Sequence, residues 1–311
     1  MLTIISHSAC LGHDTGEHHP ESRDRLDAIN DHLLMSGLDY VVMHRDSAKA
    51  TLEQLERVHA RSYIDSLYRR VPETGVVALD DDTFMGASGL EAALYAAGAG
   101  PLGVDLIMAG RGCPVFCAVR PPGHHAERAA AQGFCLFNNI AVAAAHAMEA
   151  HGMSKVAIVD FDVHHGNGTE SIFADDPRVL FCSVFQHPFY PYSGHESDTR
   201  NLVDVPLPLG TKGPEFRAAL TEHWLPALDA FAPEFVFVSA GFDGHVADDM
   251  SGFQLVEADY FWVTAEIAKL AERHAGGRVL SMLEGGYEPG ALARSVNAHI
   301  NALLDPRSRD G

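Results

Sequence analysis

Six short apolar runs, rich in β-branched residues, punctuate the chain: Leu2 to Ile5, Pro114 to Val119, Lys155 to Asp160, Val179 to Val184, Phe235 to Ala240 and Val279 to Leu283. Runs of this length without polar alternation read as strands buried on both faces. Longer segments with helical spacing lie between them, among them Leu26 to Met35, Ser88 to Ala99, Asn139 to Ala150, Pro214 to Phe231 and Glu257 to His274. This alternation predicts an α/β fold with a mainly parallel sheet covered by helices on both faces. No Ser/Gly/Pro-rich linker, charge block or internal repeat interrupts the pattern, so residues 1–311 read as a single domain.

In such sheets, ligands bind beyond the carboxyl ends of the strands. Four of the predicted strands place ionisable groups there. The run ending at Val119 leads into Arg120-Pro121-Pro122-Gly123-His124-His125, and the run from Val156 leads into Asp160, Asp162 and His164. The run ending at Ala240 precedes Gly241-Phe242-Asp243-Gly244-His245, and the run ending at Leu283 precedes Glu284-Gly285-Gly286-Tyr287. Unrelated capping residues would not be so uniform.

Asp160, Asp162 and His164 sit at i, i+2 and i+4, so in an extended segment they share one side while Phe161 and Val163 pack on the other. One oxygen and one imidazole ligand suit Zn²⁺ or a similar first-row ion. For a lone Asp-x-His, a helix cap followed by a core histidine would be the better reading; the flanking His165 and the second histidine pair tip the balance to metal. A third ligand is needed, and Asp243 is the leading candidate with His245 as its competitor. Adjacent side chains diverge in extended backbone, so His124 and His125 are better used as base and electrostatic partner than as joint ligands. Each needs a partner on its other ring nitrogen, and Asp160 and Asn167 are available. Tyr287, after a Gly-Gly step, can donate to a developing oxyanion, although a packed turn tyrosine is common there. Phe134 reads equally well as core or as channel wall.

Composition narrows the partners. The net charge is −20, from 22 basic and 42 acidic residues. That argues against a phosphate-backbone groove and is compatible with a cationic substrate. The acids are nevertheless scattered, as at Asp80-Asp81-Asp82, Asp175-Asp176 and Asp248-Asp249. The five cysteines, Cys10, Cys113, Cys117, Cys135 and Cys182, include no CxxC pair and read as buried free thiols in a reducing compartment. The start lacks a basic n-region and a long apolar stretch, and Ile140 to Ala150 is too short and polar to span a bilayer. A cytoplasmic protein with no nucleic-acid or membrane partner is expected. The oligomeric state stays open.

These motifs, taken in order, resemble the histone deacetylase and acetylpolyamine amidohydrolase superfamily in its bacterial, class II-like form. The matching elements are His19-Pro20-Glu21 with Arg25, Arg120 to Ala126, Gly133-Phe134-Cys135 with Asn138, Asp160 to Gly168, Gly241-Phe242-Asp243 and Glu284 to Tyr287. The resemblance implies an arginase-like open α/β fold with a sheet of about eight strands. It implies Asp162, His164 and Asp243 as zinc ligands and His125 as general base and acid. His124 would be the electrostatic partner, oriented by Asp160; Asn167 stands where the partner of His125 lies, and Tyr287 is the oxyanion donor. Gly133, Phe134 and Tyr190 match the acyl-lysine tunnel, Asp82 the rim aspartate, and Met250 falls where polyamine-specific relatives carry a gatekeeper glutamate. Structural K⁺ or Na⁺ ions are implied at Asp160, Asp162, His164, Ser183 and Val184, and at Phe173, Asp176, Val179 and Asn201. Two departures are Arg23 in place of a usual proline and the segment Phe185-Gln186-His187-Pro188, which leaves the rim geometry open. The implied activity is zinc-dependent hydrolysis of N-acyl amides on lysine-like amines. The alternatives are a small-molecule acetylpolyamine amidohydrolase, a two-manganese ureohydrolase whose paired Asp-rich motifs are missing, and a non-catalytic acyl-lysine-binding module.

Overall fold

The computed structural model describes residues 1–110, 114–194 and 199–308. Cys113 lies outside the described residues; the other four cysteines are free and buried. In chain order the elements are β1 (Thr3–Ser6), α1 (Asp24–Ser36), β2 (Met43–Asp46), α2 (Leu52–Glu56), α3 (Arg61–Arg70), β3 (Val76–Ala78), β4 (Phe84–Gly86), α4 (Gly89–Met108) and β5 (Val115–Cys117). They continue with α5 (Asn139–His151), β6 (Val156–Asp160), α6 (Asn167–Phe173), β7 (Val179–Gln186), β8 (Leu202–Leu207), α7 (Gly213–Phe231), β9 (Phe235–Ala240), α8 (Glu257–His274), β10 (Val279–Leu283) and α9 (Pro289–Leu304).

Eight strands form one parallel sheet in the order β2-β1-β5-β10-β9-β6-β7-β8, and β3 and β4 form a separate antiparallel hairpin. The central four, β5-β10-β9-β6, are the strands whose sequels carry the ionisable residues. Their ends are level: Leu283 pairs with Ala240 and Asp160 with Ser239. β6, β9 and β10 are buried throughout, which explains their apolar runs. The edge strands β2 and β8 are half exposed and mixed in polarity, and the hydrophobic pattern did not predict them.

Helix α4 continues past Ala99 through Gly100, Pro101 and Gly103 to Met108. These residues resemble breakers in the sequence, but the glycines serve packing. A Cβ at Gly100 would lie 2.6 Å from the Ala143 Cβ on α5, and one at Gly103 2.6 Å from Leu280 on β10. By length and composition α4 could cross a membrane, yet 78% of its apolar window is buried inside this fold.

His299 on α9 is fully buried between Thr264 Oγ1 (2.7 Å) and Ser281 Oγ (2.8 Å), and burial pushes its pKa down to about 3. A histidine held neutral in the fold stabilises above the unfolded-state pKa near 6.5, and that contribution is lost as pH falls from there toward the folded value. His299→Phe leaves the buried Thr264 and Ser281 hydroxyls without these partners, so it is expected to be less stable than the unmutated protein at pH 7.5. The gap should narrow by roughly 3 kcal/mol at about pH 4.5, where two pKa units of linkage have been lost. Denaturant melts at both pH values check this; a gap independent of pH would contradict it.

Candidate active site

At the sheet's carboxyl edge, Asp162, His164 and Asp243 are buried with one ligand atom each inside a 4.8 Å span. His164 Nδ1 faces Asp162 Oδ1 and Asp243 Oδ2, each at 3.1 Å. One imidazole nitrogen carries at most one proton, so it cannot satisfy both carboxylates. Three lone-pair donors converging in this way fit a divalent cation, and the mixed N/O set suits Zn²⁺. Glycine makes the room: a side chain at Gly285 or Gly241 would collide with these carboxylates. Backbone amides orient the ligands, Gly285 N donating to Asp162 Oδ2 (2.8 Å) and Val163 N to Asp243 Oδ1 (3.0 Å). His245 is not part of the group; its Nδ1 accepts from Ala247 N at 3.0 Å and its Nε2 faces Glu257.

His124 and His125 stand beside these ligands with opposite electrostatics. Burial disfavours charge on His124, but Asp160 (Oδ2 2.9 Å from Nδ1) and Asp162 outweigh it and raise its pKa to about 10. His125 is driven well below the ordinary histidine value by burial and then by the positive charges of His124 and His164. Its Nδ1 lies 2.7 Å from Asn167 Oδ1. The Asn167 Nδ2 donates to Glu127 Oε1 (3.1 Å) and Gln132 Oε1 (2.9 Å), which fixes the amide so that its oxygen must accept. Nδ1 of His125 therefore carries the hydrogen, and Nε2 keeps its lone pair.

A cavity of about 260 Å³ leads to this edge, lined by Asp82, His125, Gly133, Phe134, His164, Phe189, Tyr190, Met250 and Tyr287. Phe134 meets Tyr287 edge-on at 5.7 Å, and Tyr190 meets His125 edge-on at 5.3 Å. Phe189 stacks on His164 at 5.5 Å. Gly133 (φ 55°) and Phe134 (φ 69°) both adopt left-handed backbone. Their amides are held by Asp82 Oδ1 (3.2 Å) and Thr83 Oγ1 (3.0 Å), and a Cβ at Gly133 would enter the His125 ring. Burial raises the Tyr287 phenol well above its ordinary pKa, partly offset by the Arg25 guanidinium 5.0 Å from the ring centre, so the hydroxyl keeps its hydrogen.

The chain also matches known proteins in sequence and in fold. The histone deacetylase domain family model matches residues 19–303. The chain belongs to the histone deacetylase family. It is 36% identical over 323 residues to histone deacetylase 14, chloroplastic, of Arabidopsis thaliana, covering 97% of this chain and 76% of that protein. It is 38% identical over 306 residues to the human polyamine deacetylase HDAC10, covering 92% of this chain and 45% of that protein. The crystal structure of the HDA15 HD domain superposes with a TM-score of 0.92 at 35% identity, covering 97% of this chain and 88% of that one. Membership makes the protein a hydrolytic deacylase of a zinc-dependent family.

Glu284, Glu21, Arg25 and Arg120 carry no role in the sequence motifs and Asp248 reads there only as a loop acid, yet these residues organise the site. Glu284 accepts from Gly123 N (2.7 Å), His124 N (3.1 Å) and Ser239 Oγ (3.1 Å), fastening the histidine loop to β9 and β10. Burial pushes its pKa up to about 7. Asp248 accepts from Tyr287 N (2.5 Å), Glu288 N (3.1 Å) and Met250 N (2.9 Å), tying the tyrosine loop to the tunnel wall. Beneath lies a buried Glu21–Arg25–Arg120 cluster, in which Arg25 donates to Glu21 Oε1 (3.2 Å) and Gly286 O (2.6 Å), and Arg120 Nη2 to Glu21 Oε2 (2.7 Å). Burial would raise the Glu21 pKa, but Arg120, His13 and Arg25 hold it at about 2. The acidic pair Asp248-Asp249 read as a loop cluster, and only the full contact pattern separates its two members.

Proposed function

We propose that the protein hydrolyses N-acyl amides of lysine side chains or closely similar amines, using one Zn²⁺ held by Asp162, His164 and Asp243. The observation that carries this reading is that the Asp162–His164–Asp243 group sits at one narrow, mostly apolar cavity lined by His164, the neutral His125 and Tyr287. When bound, Zn²⁺ supplies Lewis-acid polarisation of the acyl carbonyl and lets water attack at neutral pH. His125 Nε2 takes the proton of the attacking water, helped by the tautomer that Asn167 imposes. His124, kept positive by Asp160, stabilises the negative charge that builds up nearby. The Tyr287 hydroxyl donates to the carbonyl oxygen as it becomes an oxyanion. Protonated His125 returns its proton to the leaving amine. Phe134, Tyr190 and Phe189 would exclude water around a butylamine-like chain, with Asp82 near the backbone of a peptide substrate.

A polyamine substrate is the second reading, favoured by the 38% identity to a polyamine deacetylase. A second ammonium group buried near the tunnel needs a carboxylate. Met250 is apolar, and Asp82 is the one carboxylate lining the cavity among the described residues. Structural K⁺ or Na⁺ ions are expected around Asp160, Asp162, His164, Ser183 and Val184, where Ser183 Oγ is buried without a hydrogen-bond partner among the described residues. A second such ion is expected around Phe173, Asp176, Val179 and Asn201, where Asn201 Nδ2 gathers the carbonyls of Phe173 (2.9 Å) and Asp176 (3.3 Å).

The discriminating experiment is a kinetic comparison of acetyl-lysine peptide, longer acyl-lysine peptides, free acetyl-lysine and acetylated polyamines. The expected result is a higher kcat/KM for acyl-lysine peptides; preference for the polyamines would overturn the substrate assignment. In the same assay Tyr287→Phe should lose about 10²- to 10³-fold in kcat with little change in KM, because the hydroxyl acts mainly on the transition state. A KM effect alone would move Tyr287 to a purely binding role.

A further inference from the structure

A second group of donor atoms lies outside the reaction described above. His165, in the loop after β6, places Nε2 2.9 Å from Glu170 Oε2 on α6 and 3.4 Å from Asp204 Oδ1 on β8. The three atoms lie within 4.8 Å of one another. Each is buried, and none of them has a hydrogen bond of acceptable geometry among the described residues. The His165 side chain is 1% exposed.

Proton accounting leaves this cluster short of donors. His165 Nδ1 faces Ser193 Oγ at 2.9 Å. With the hydrogen on Nδ1, the Nε2 lone pair points among two carboxylates. With the hydrogen on Nε2, at most one carboxylate oxygen is satisfied, and the other needs either a proton shared between Glu170 and Asp204 or a cation. Leaving such a group unpaired costs about 1–3 kcal/mol or more. A cation resolves both cases, and the donor set repeats the one at Asp162, His164 and Asp243. The cluster Asp105, His146 and His151 has similar composition but is already satisfied. There Arg57 donates to His146 Nδ1 (2.9 Å), so Nε2 carries the hydrogen to Asp105 Oδ1 (2.9 Å) and His151 supplies another (2.7 Å).

We propose that His165, Glu170 and Asp204 bind a second divalent transition-metal ion of the Zn²⁺ class, with a structural role. One imidazole and two carboxylates select such an ion over K⁺ or Na⁺. Ser193 Oγ, 2.9 Å from Nδ1, can accept its hydrogen in the tautomer that leaves the Nε2 lone pair free for the metal. Gly194, at φ 83°, packs against the ring face, where a Cβ would lie 2.6 Å from Cδ2. The ion thereby ties α6 and the edge strand β8 together and, through Ser193, anchors the segment that carries Phe189 and Tyr190 of the tunnel. This site does not depend on the assigned reaction.

The test is a metal count. Chain freed of metal by chelation is reloaded with Zn²⁺ alone, cleared of excess and measured by mass spectrometry. Two zinc ions per chain are expected, falling to one in the Glu170→Gln/Asp204→Asn double variant and to one in Asp243→Asn. Anomalous scattering at the zinc edge from crystals of the unmutated protein should give a peak beside His165 Nε2, so misfolding of the double variant leaves the question decidable. One zinc per chain with no peak at His165, or a folded double variant that still holds two, would overturn the proposal.

Discussion

His125→Ala lowers kcat/KM on an acetyl-lysine peptide by roughly 10²- to 10⁴-fold, the range for loss of a positioned general base. The zinc content of the variant should match that of the unmutated chain, since His125 is outside the ligand group. Its ring is held by Asn167 on one side and shielded by Gly133 and Tyr190 on the others, so truncation leaves a cavity with little to refold around it. The low pKa of His125 adds a pH signature. Its neutral form is the active one, so kcat/KM in the unmutated protein is lost only as pH falls below the ordinary histidine value near 6.5. With zinc kept saturating at every pH, the His125→Ala profile should lack that acid limb. A variant with near-normal rates, or with the limb intact, would remove His125 from proton transfer.

Asp243→Asn has an effect of comparable size by a different route. Asn can still accept from Val163 N through its oxygen, as Asp243 Oδ1 does at 3.0 Å. Its amide nitrogen would then occupy the place of Oδ2, 3.1 Å from His164 Nδ1, and present hydrogens where a lone pair is required. Loss of outer partners alone weakens metal sites by 10- to 100-fold, so loss of a ligand should exceed about 100-fold in zinc affinity. Turnover should fall with it. A stability measurement separates this from misfolding. Zinc raises the melting temperature of any protein that binds it only when folded. The unmutated chain should show that gain at the catalytic site, and Asp243→Asn should lose most of it while its metal-free melting temperature is not lowered. The second point follows from charge: burial and the neighbouring Asp162 push the Asp243 carboxyl up to about 6, so the metal-free site is relieved when that charge is removed. Retained zinc affinity and turnover in this variant would exclude Asp243 as a ligand.

The legibility of this protein follows its burial. β9 and β10 were read to the residue because both faces are covered and only apolar side chains fit. β2, with the sequence Met43-His44-Arg45-Asp46, and β8, which contains Asp204 and Pro206, sit at the sheet edges, where one side is free to be polar. Helix α4 runs nine residues beyond the Ala99 end of its predicted segment, because small residues such as Gly100 allow α5 to approach. At the site, residues whose chemistry is local to a motif are visible: Asp162, His164, Asp243 and Tyr287 lie within four residues of a strand end, and His124 and His125 within eight. Residues that act across the fold are not. Glu284 was noted only as an acid after a strand, and its three contacts reach segments far away in the chain. Asp248 and Phe189 sit in loops where composition predicts a turn and nothing more.

The most direct test of the central claim is zinc titration of acetate release from an acetyl-lysine peptide by the chelated chain. The expected result is negligible acetate without metal and recovery with added Zn²⁺ in the unmutated protein. His125→Ala should bind the same zinc and remain at least about 100-fold slower. Acetate release that is independent of added zinc, or equal in the two proteins at full loading, would contradict it.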